Sequence, residues 1–253
     1  MKTFSSYYAN NNDALEYQFK IIFFTLSIYA CFGAYALNWL GLWWMVAIVS
    51  VLTTRWMIAF HELFHLKKAD ELDLITRIVP IPFGPFNLGY REYRAIHLGH
   101  HQYTATQQDP DGFHILGGWF KAFIGAVTQH EQATFRYIST HGISQELAVM
   151  MFIRLSLFFT MLILSPAAFL AWWLSLRISY IINDFVFFHL LHYRSSVSGT
   201  FAFPLPSFLK YPAILIYGTD VVYATMHHDT HHNHTKVAAK YLPRVAKKID
   251  DSI

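Results

Sequence analysis

Two blocks of apolar residues, separated by long polar stretches, set the plan of this chain. Residues 1–20 are polar; Ile21 to Leu37 is apolar, and Leu42 to Phe60 follows after a break around Asn38 and Gly41. A membrane-crossing helix needs roughly 20 apolar residues, so these runs predict two spans joined as a tight hairpin. The second block extends from Leu147 to about Phe188 and is interrupted at Ser165-Pro166. Proline ends or kinks a helix at the preceding residue, which predicts two further spans. The expected fold is an all-α membrane protein with four transmembrane helices in two hairpins (21–37, 42–60, 147–164 and 167–188). Residues 1–253 then form a single membrane domain with a cytoplasmic helical cap. Gly117 to Val127, "GGWFKAFIGAV", is too short to cross and too apolar to be a solvated loop, so an interfacial helix lying on the membrane is expected. No internal repeat and no low-complexity linker interrupts the plan.

Composition supports the membrane assignment: 54% of residues are hydrophobic and only 14% charged, against about 25% charged in a soluble domain. Charge distribution gives the orientation. The breaks near 38–41 and 165–167 carry no lysine or arginine, whereas the segment between the hairpins holds Lys67, Lys68, Arg77, Arg91, Arg94, Lys121 and Arg136. The C-terminal segment adds Lys236, Lys240, Arg244, Lys247 and Lys248. The positive-inside rule places both termini and the middle segment in the cytoplasm, together with every histidine. Arg55, Arg154 and Arg177, within or beside apolar segments, are expected to snorkel toward headgroups or toward the cap. No cleavable signal peptide is expected, since no small-residue cleavage site follows the first apolar run. The single cysteine, Cys31, excludes a disulfide framework or a cysteine-ligated cluster within one chain.

Fifteen histidines are the anomaly, because histidine is costly in hydrocarbon unless it has a task. They gather in three boxes: His61-x-x-x-His65 ("HELFH"), His97-x-x-His100-His101 ("HLGHH") and His228-x-x-His231-His232 ("HDTHH"). At this histidine content chance yields about one His-x-x-x-His pair, but the tighter His-x-x-His-His pattern only roughly 0.05 times; the chain has it twice. On a helix, residues three or four apart share a face, so each box can present two imidazoles to one metal. The adjacent pairs His100-His101 and His231-His232 point about 100° apart, which lets one box serve two metals, as a dinuclear centre requires.

HELFH is also the zinc-protease signature, with two imidazoles on zinc and the glutamate as general base. That reading needs one further ligand and leaves six clustered histidines without a role. Eight imidazoles suit two transition ions with open positions, and imidazole serves iron as well as zinc. Glu62 is then better read as a partner that orients a ligating ring. A histidine-rich metal transporter or sensor would place its ligands near the middle of the spans, whereas these boxes lie at span ends and beyond.

The three boxes resemble those of the membrane fatty acid desaturase superfamily, the non-haem di-iron enzymes that include alkane hydroxylases and carotenoid ketolases and hydroxylases. The resemblance covers most of the chain. "HHQYTATQQDPD" (His100 to Asp111) is similar to the stretch after the second box in bacterial members, and "HHNHTKVAAKYLP" (His231 to Pro243) to the tail of the third. The usual proline four residues after the first paired histidine is Thr235 here. The resemblance implies two irons held by His61, His65, His97, His100, His101, His228, His231 and His232. It also implies a ninth histidine between the fourth span and the third box. "FVFFHLLHYR" offers His192, preferred because a His-Tyr-Arg or similar run recurs there, with His189 as the fallback. The asparagine that some members place four residues before this ligand is absent, and Asp184 could serve instead as a group that positions a ligand. His114, His130, His141, His227 and His234 read as ordinary interfacial residues, the last two with some prospect of positioning ligands.

Such a centre at the membrane surface suits oxidation of a lipid-soluble substrate, an acyl chain or a carotenoid, because side-chain acids and bases cannot break alkyl C–H bonds. The resemblance implies an oxygen-dependent di-iron oxidoreductase, with fatty acid desaturation as the first reading. Carotenoid ketolation or hydroxylation is the alternative, favoured by the short chain, by His234 within "HHNH" and by the Asp-Pro-Asp-Gly-Phe run. Electrons must come from an external donor of the ferredoxin or cytochrome b5 type, since no flavin, nicotinamide or cysteine-cluster motif is present. The basic face suits an acidic donor and equally the headgroups of membrane lipids; no nucleic-acid partner is expected.

Overall fold

Asn10 starts the first helix. Its Oδ1 accepts the N–H groups of Asn12 and Asp13, and the Asp13 carboxylate accepts the Asn10 N–H in return. This reciprocal cap satisfies donors that helix geometry leaves without partners. Helix α1, Asn11–Ala36, therefore begins well before the apolar run at Ile21. Its 26 residues reach about 39 Å, longer than a hydrocarbon core of about 30 Å. Helix α2, Leu42–Leu66, likewise outruns its apolar stretch and carries HELFH on its last turns. The two pack along one another, and the Trp56 indole donates to Thr25 Oγ1 at 2.9 Å across the contact.

The computed structural model describes residues 4–73, 76–77, 87–112, 118–194 and 196–251 and is mostly helical. After α2 come α3 (Tyr90–Tyr103), α4 (Trp119–Val127), α5 (Gln129–His141), α6 (Gln145–Leu164) and α7 (Pro166–Asp184). A π-helical turn over Phe185–Leu190 leads to a small hairpin of β1 (Tyr193–Arg194) and β2 (Val197–Ser198). The chain closes with α8 (Ser207–Tyr217), α9 (Thr219–Met226), α10 (His228–Asn233) and α11 (Leu242–Asp250). Ser144 and Ser165 cap α6 and α7 through their hydroxyls, and the Ser165-Pro166 break falls where the sequence places it.

Among the described residues, α1, α2 and α6 are long and apolar enough to cross a membrane. The expected fourth span is helical over Pro166–Asp184, but with Arg177, Asn183 and Asp184 it falls short of the apolarity of the other three. Its polar side chains lie against α2: Thr54 Oγ1 donates to Asn183 Oδ1 at 2.6 Å, and Ser179 Oγ to Ser50 Oγ at 3.2 Å. Outside this core, Phe19, Leu26, Phe152, Ile163, Leu164 and Leu170 are exposed, an outward belt that suits lipid. Helix α4 exposes Trp119, Phe120, Phe123 and Ile124, and α8 exposes Phe208, Tyr211 and Leu215; α8 was not foreseen in the sequence.

Three arginines tie these helices to the segments around them. Arg154 is buried and donates from Nη1 to the carbonyls of Asn87 and Leu88 at 2.5 and 3.1 Å, so it reaches the backbone just ahead of α3 rather than headgroups. Arg177 forks onto the Glu131 carboxylate and lies 4.0 Å over the Trp173 ring. Arg55 packs on Gly218, whose φ of +88° favours glycine and whose missing Cβ leaves room for the guanidinium.

The two ends of the chain are clamped together. The Ala9 N–H donates to Lys236 O at 3.0 Å, and Tyr8 bridges Val237. Lys240 Nζ lies 2.6 Å from Asp13 and 3.1 Å from Glu16, while Lys20 pairs with Asp220 at 2.7 Å. The polar extension of α1 is thereby fixed to the segment that carries and follows the third histidine box.

Candidate metal centre

Box one lies on the last turns of α2, box two on α3 and box three on α10, and the helical spacing turns each inward. The end of α2 is held by α3: the Tyr90 hydroxyl lies 2.8 and 2.9 Å from the carbonyls of Leu63 and Lys67, and Arg94 Nε donates to Phe64 O at 2.8 Å. Carbonyls orphaned at the helix terminus thus find donors, and His61 and His65 gain a fixed orientation.

The imidazoles gather at two foci. At the first, His97 Nε2 lies 2.9 Å from His65 Nε2 and 3.0 Å from His101 Nε2; with His61 and His231 these five offer donor atoms all within 4.8 Å of one another. At the second, His192 Nε2 lies 3.2 Å from His100 Nε2 and 3.0 Å from His228 Nε2, and His100, His192 and His232 form a second group within 4.8 Å. The adjacent pairs divide: His101 and His231 face the first focus, His100 and His232 the second. The 100° offset between neighbouring helical residues accomplishes this split.

Two ring nitrogens in contact share at most one proton, and here three converge at each focus. His231 is fully buried with no hydrogen-bond partner on either ring nitrogen, and His101 Nδ1 likewise has none. Converging lone pairs short of protons fit metal ions. Burial also favours the neutral, ligating form: it holds His97, His228 and His231 well below the usual imidazole value, and His101 and His192 at about 2 and about 3. Positive charge on neighbouring imidazoles would add to the effect.

Groups behind the rings fix which nitrogen faces inward. Asp109 Oδ2 lies 2.9 Å from His100 Nδ1 and accepts the Ala105 N–H, while Oδ1 accepts the Asp111 N–H; this is the work of the first aspartate of Asp-Pro-Asp. His192 Nδ1 donates to Gly199 O at 3.0 Å, and His232 Nδ1 faces Thr104 Oγ1 at 3.3 Å. Glu62 Oε1 lies 3.2 Å from His61 Nδ1, and its Oε2 accepts the Ala239 N–H at 2.8 Å. The glutamate of HELFH therefore joins box one to the segment after box three.

The π-helical turn separates the two histidines of "FVFFHLLHYR". A π-turn inserts an extra residue into the helical register and is frequent at functional sites. Beyond it His192 meets His100 and His228, whereas His189 stacks on Phe185 and packs at a tilt against Tyr193, outside both groups. Of the remaining histidines, His130 is buried, with Nδ1 3.1 Å from the Tyr93 hydroxyl. His141 is exposed and stacks on Tyr137. His227, partly buried, has its pKa lowered by that burial, and His234 packs edge-on against Phe4. His114 lies outside the described residues, as does Gly117 at the start of the expected interfacial helix.

A cavity of ≈ 140 Å³ adjoins both foci, which reach it through His61, His97, His100, His192, His228 and His232. Trp56, Phe60, Phe64, Phe187 and Phe188 give it apolar walls; Asp111, Gln129, His130 and Asp184 form a polar wall. Asp184, expected to position a ligand, makes no hydrogen bond to any imidazole: neither carboxylate oxygen has a partner. Burial raises the Asp111 carboxyl to about 6. Residues 37–253 match the family model described as fatty acid desaturase. No curated protein and no solved structure matches the chain.

Proposed function

This chain belongs to the fatty acid desaturase family, a family of membrane oxidoreductases of the desaturase and hydroxylase type, and from that premise we propose that it is an oxygen-dependent di-iron enzyme that desaturates a lipid acyl chain. The observation that carries the reading is the pair of nitrogen foci opening onto one cavity with aromatic walls. His61, His65, His97, His101 and His231 would hold one iron, and His100, His192, His228 and His232 the other. When bound, the irons would supply the oxidising power that an unactivated C–H bond demands and that no side chain provides.

The chain's own residues do the rest. Asp109, Gly199, Thr104 and Glu62 keep the ring protons outward, so that lone pairs face the foci. Phe60, Phe64, Phe187 and Phe188 grip the alkyl segment and exclude water. Loss of two hydrogens, with dioxygen reduced to two waters, requires two electrons and two protons from outside. Arg244, Lys247 and Lys248 near the C-terminus suit an acidic ferredoxin or cytochrome b5-type donor. The reading includes a single domain over 1–253 and four spans in two hairpins, with both termini and the centre cytoplasmic. Against a zinc protease, both Glu62 oxygens are engaged, which leaves no free general base.

The test is metal analysis together with lipid profiling. Purified protein should hold close to two irons per chain, and a host expressing it should gain double bonds in its acyl chains only under oxygen. Full activity with zinc alone and no oxygen would end the proposal.

A further inference from the structure

Asp111, His130 and Asp184 on the polar wall of the cavity stand outside both groups of metal-ligating atoms found among the described residues. Asp184 is 1% exposed, lines the cavity and has no hydrogen-bond partner on either carboxylate oxygen. Gln129 Oε1, also buried and unpartnered, lines the same space. A buried polar group left unsatisfied costs the full desolvation of that group, so these acceptors call for an occupant. Asp184 belongs to no cluster of metal-ligating atoms among the described residues. Among the described residues no lysine or arginine lines the cavity: its titratable lining groups are imidazoles, carboxyls and the Tyr93 phenol.

The occupant's chemistry follows from the acceptors. Against a carboxylate, the missing group is a donor. Against a protonated carboxyl, which gives one proton and still accepts, the missing group must both accept and donate. A hydroxyl completes the site in either state; an ether or a bare methylene does not. Distance adds a second constraint. The cavity, ≈ 140 Å³, is about the size of one that takes benzene, so the part of a substrate that lies within it is a short segment. Histidines of both foci and Asp184 share that one space.

We propose that Asp184 and Gln129 form a hydroxyl-recognition subsite, and that the substrate is a lipid with a hydroxyl group within about six carbons of the carbon oxidised. This rests on the foci being the oxidising centre, and it narrows the substrate class to lipids with a polar group beside the reacting segment. Asp184 and Gln129 act as specificity determinants. They bind the hydroxyl, set which C–H bond faces the foci, and take no part in the oxidation itself.

The test compares 1-hexadecanol with 1-methoxyhexadecane as stabilisers of the purified full-length protein in detergent, read as the shift in melting midpoint with concentration. The wild type should bind the alcohol roughly tenfold or more tightly than the ether, because a site built to hydrogen-bond a hydroxyl rejects the analogue lacking it. Asp184→Leu should abolish the preference while leaving ether binding in place, and Gln129→Leu should reduce it. Equal shifts for the two probes in the wild type would overturn the proposal without any variant, and that is also the result if water alone fills the acceptors. A preference that survives Asp184→Leu would overturn it as well. The measurement needs no turnover. A protein without iron therefore sinks the proposed function, and one that holds two irons yet ignores the hydroxyl sinks only the subsite.

Discussion

Asp109 decides how His100 meets the second focus. With one oxygen on His100 Nδ1 and both oxygens tied to backbone N–H groups, it cannot turn away without breaking its own loop. Asp109→Asn keeps the shape but can present an N–H to the ring and favour the wrong tautomer. Metal affinity should fall about 10- to 100-fold, measured by chelator competition; an unchanged affinity would mean that Asp109 does not set the His100 tautomer. The buried imidazoles also set a pH dependence. Unfolded, they take a proton near 6.5, whereas folded His101 and His192 resist until about 2 and about 3. As pH falls the unfolded chain binds more protons, so these rings' contribution is complete above about 6.5 and is withdrawn between there and about 3. The melting midpoint of the metal-free protein should therefore drop across that interval; a flat profile would contradict the burial.

Among the elements, the turn over Phe185–Leu190 is the one that selects. His192→Ala should cost the iron at the second focus, while His189→Ala, whose ring packs on Phe185 and Tyr193, should retain two irons per chain by metal analysis. The opposite result would reverse the assignment. The polar contact between α2 and α7 is a smaller matter: Thr54→Val breaks the bond to Asn183 and should cost about 0.6 kcal/mol, read from unfolding in mixed micelles. What could be read from the sequence follows a physical line. The boxes were legible because i, i+3 and i+4 spacing fixes a shared helical face whatever the tertiary arrangement. The apolar runs were legible as long helices, three of them apolar enough to cross a membrane, but not the extents of those helices, since the Asn10 cap and the turns beyond Phe60 obey local chemistry rather than hydropathy. The π-turn leaves no mark in "FVFFHLL". The polar wall draws on Asp111, Gln129 and Asp184 from separate parts of the chain, which only packing brings together.

For the molecule as a whole, orientation remains the property to measure. In a Cys31→Ser background, single cysteines at Asn38 and at Ser165 should label with a membrane-impermeant reagent from outside intact cells, and one at Lys248 only after lysis. Labelling of Asn38 and Lys248 from the same side would break the four-span arrangement. One contact ties that arrangement to the order in which the chain is made. Glu62 leaves the ribosome well before Ala239, whose backbone amide occupies its second oxygen. The third box is made between the two, and Lys240 straps the stretch that follows it to Asp13 and Glu16. A chain stopped before the third box therefore lacks His231 from the first focus and His232 from the second, and neither site can close.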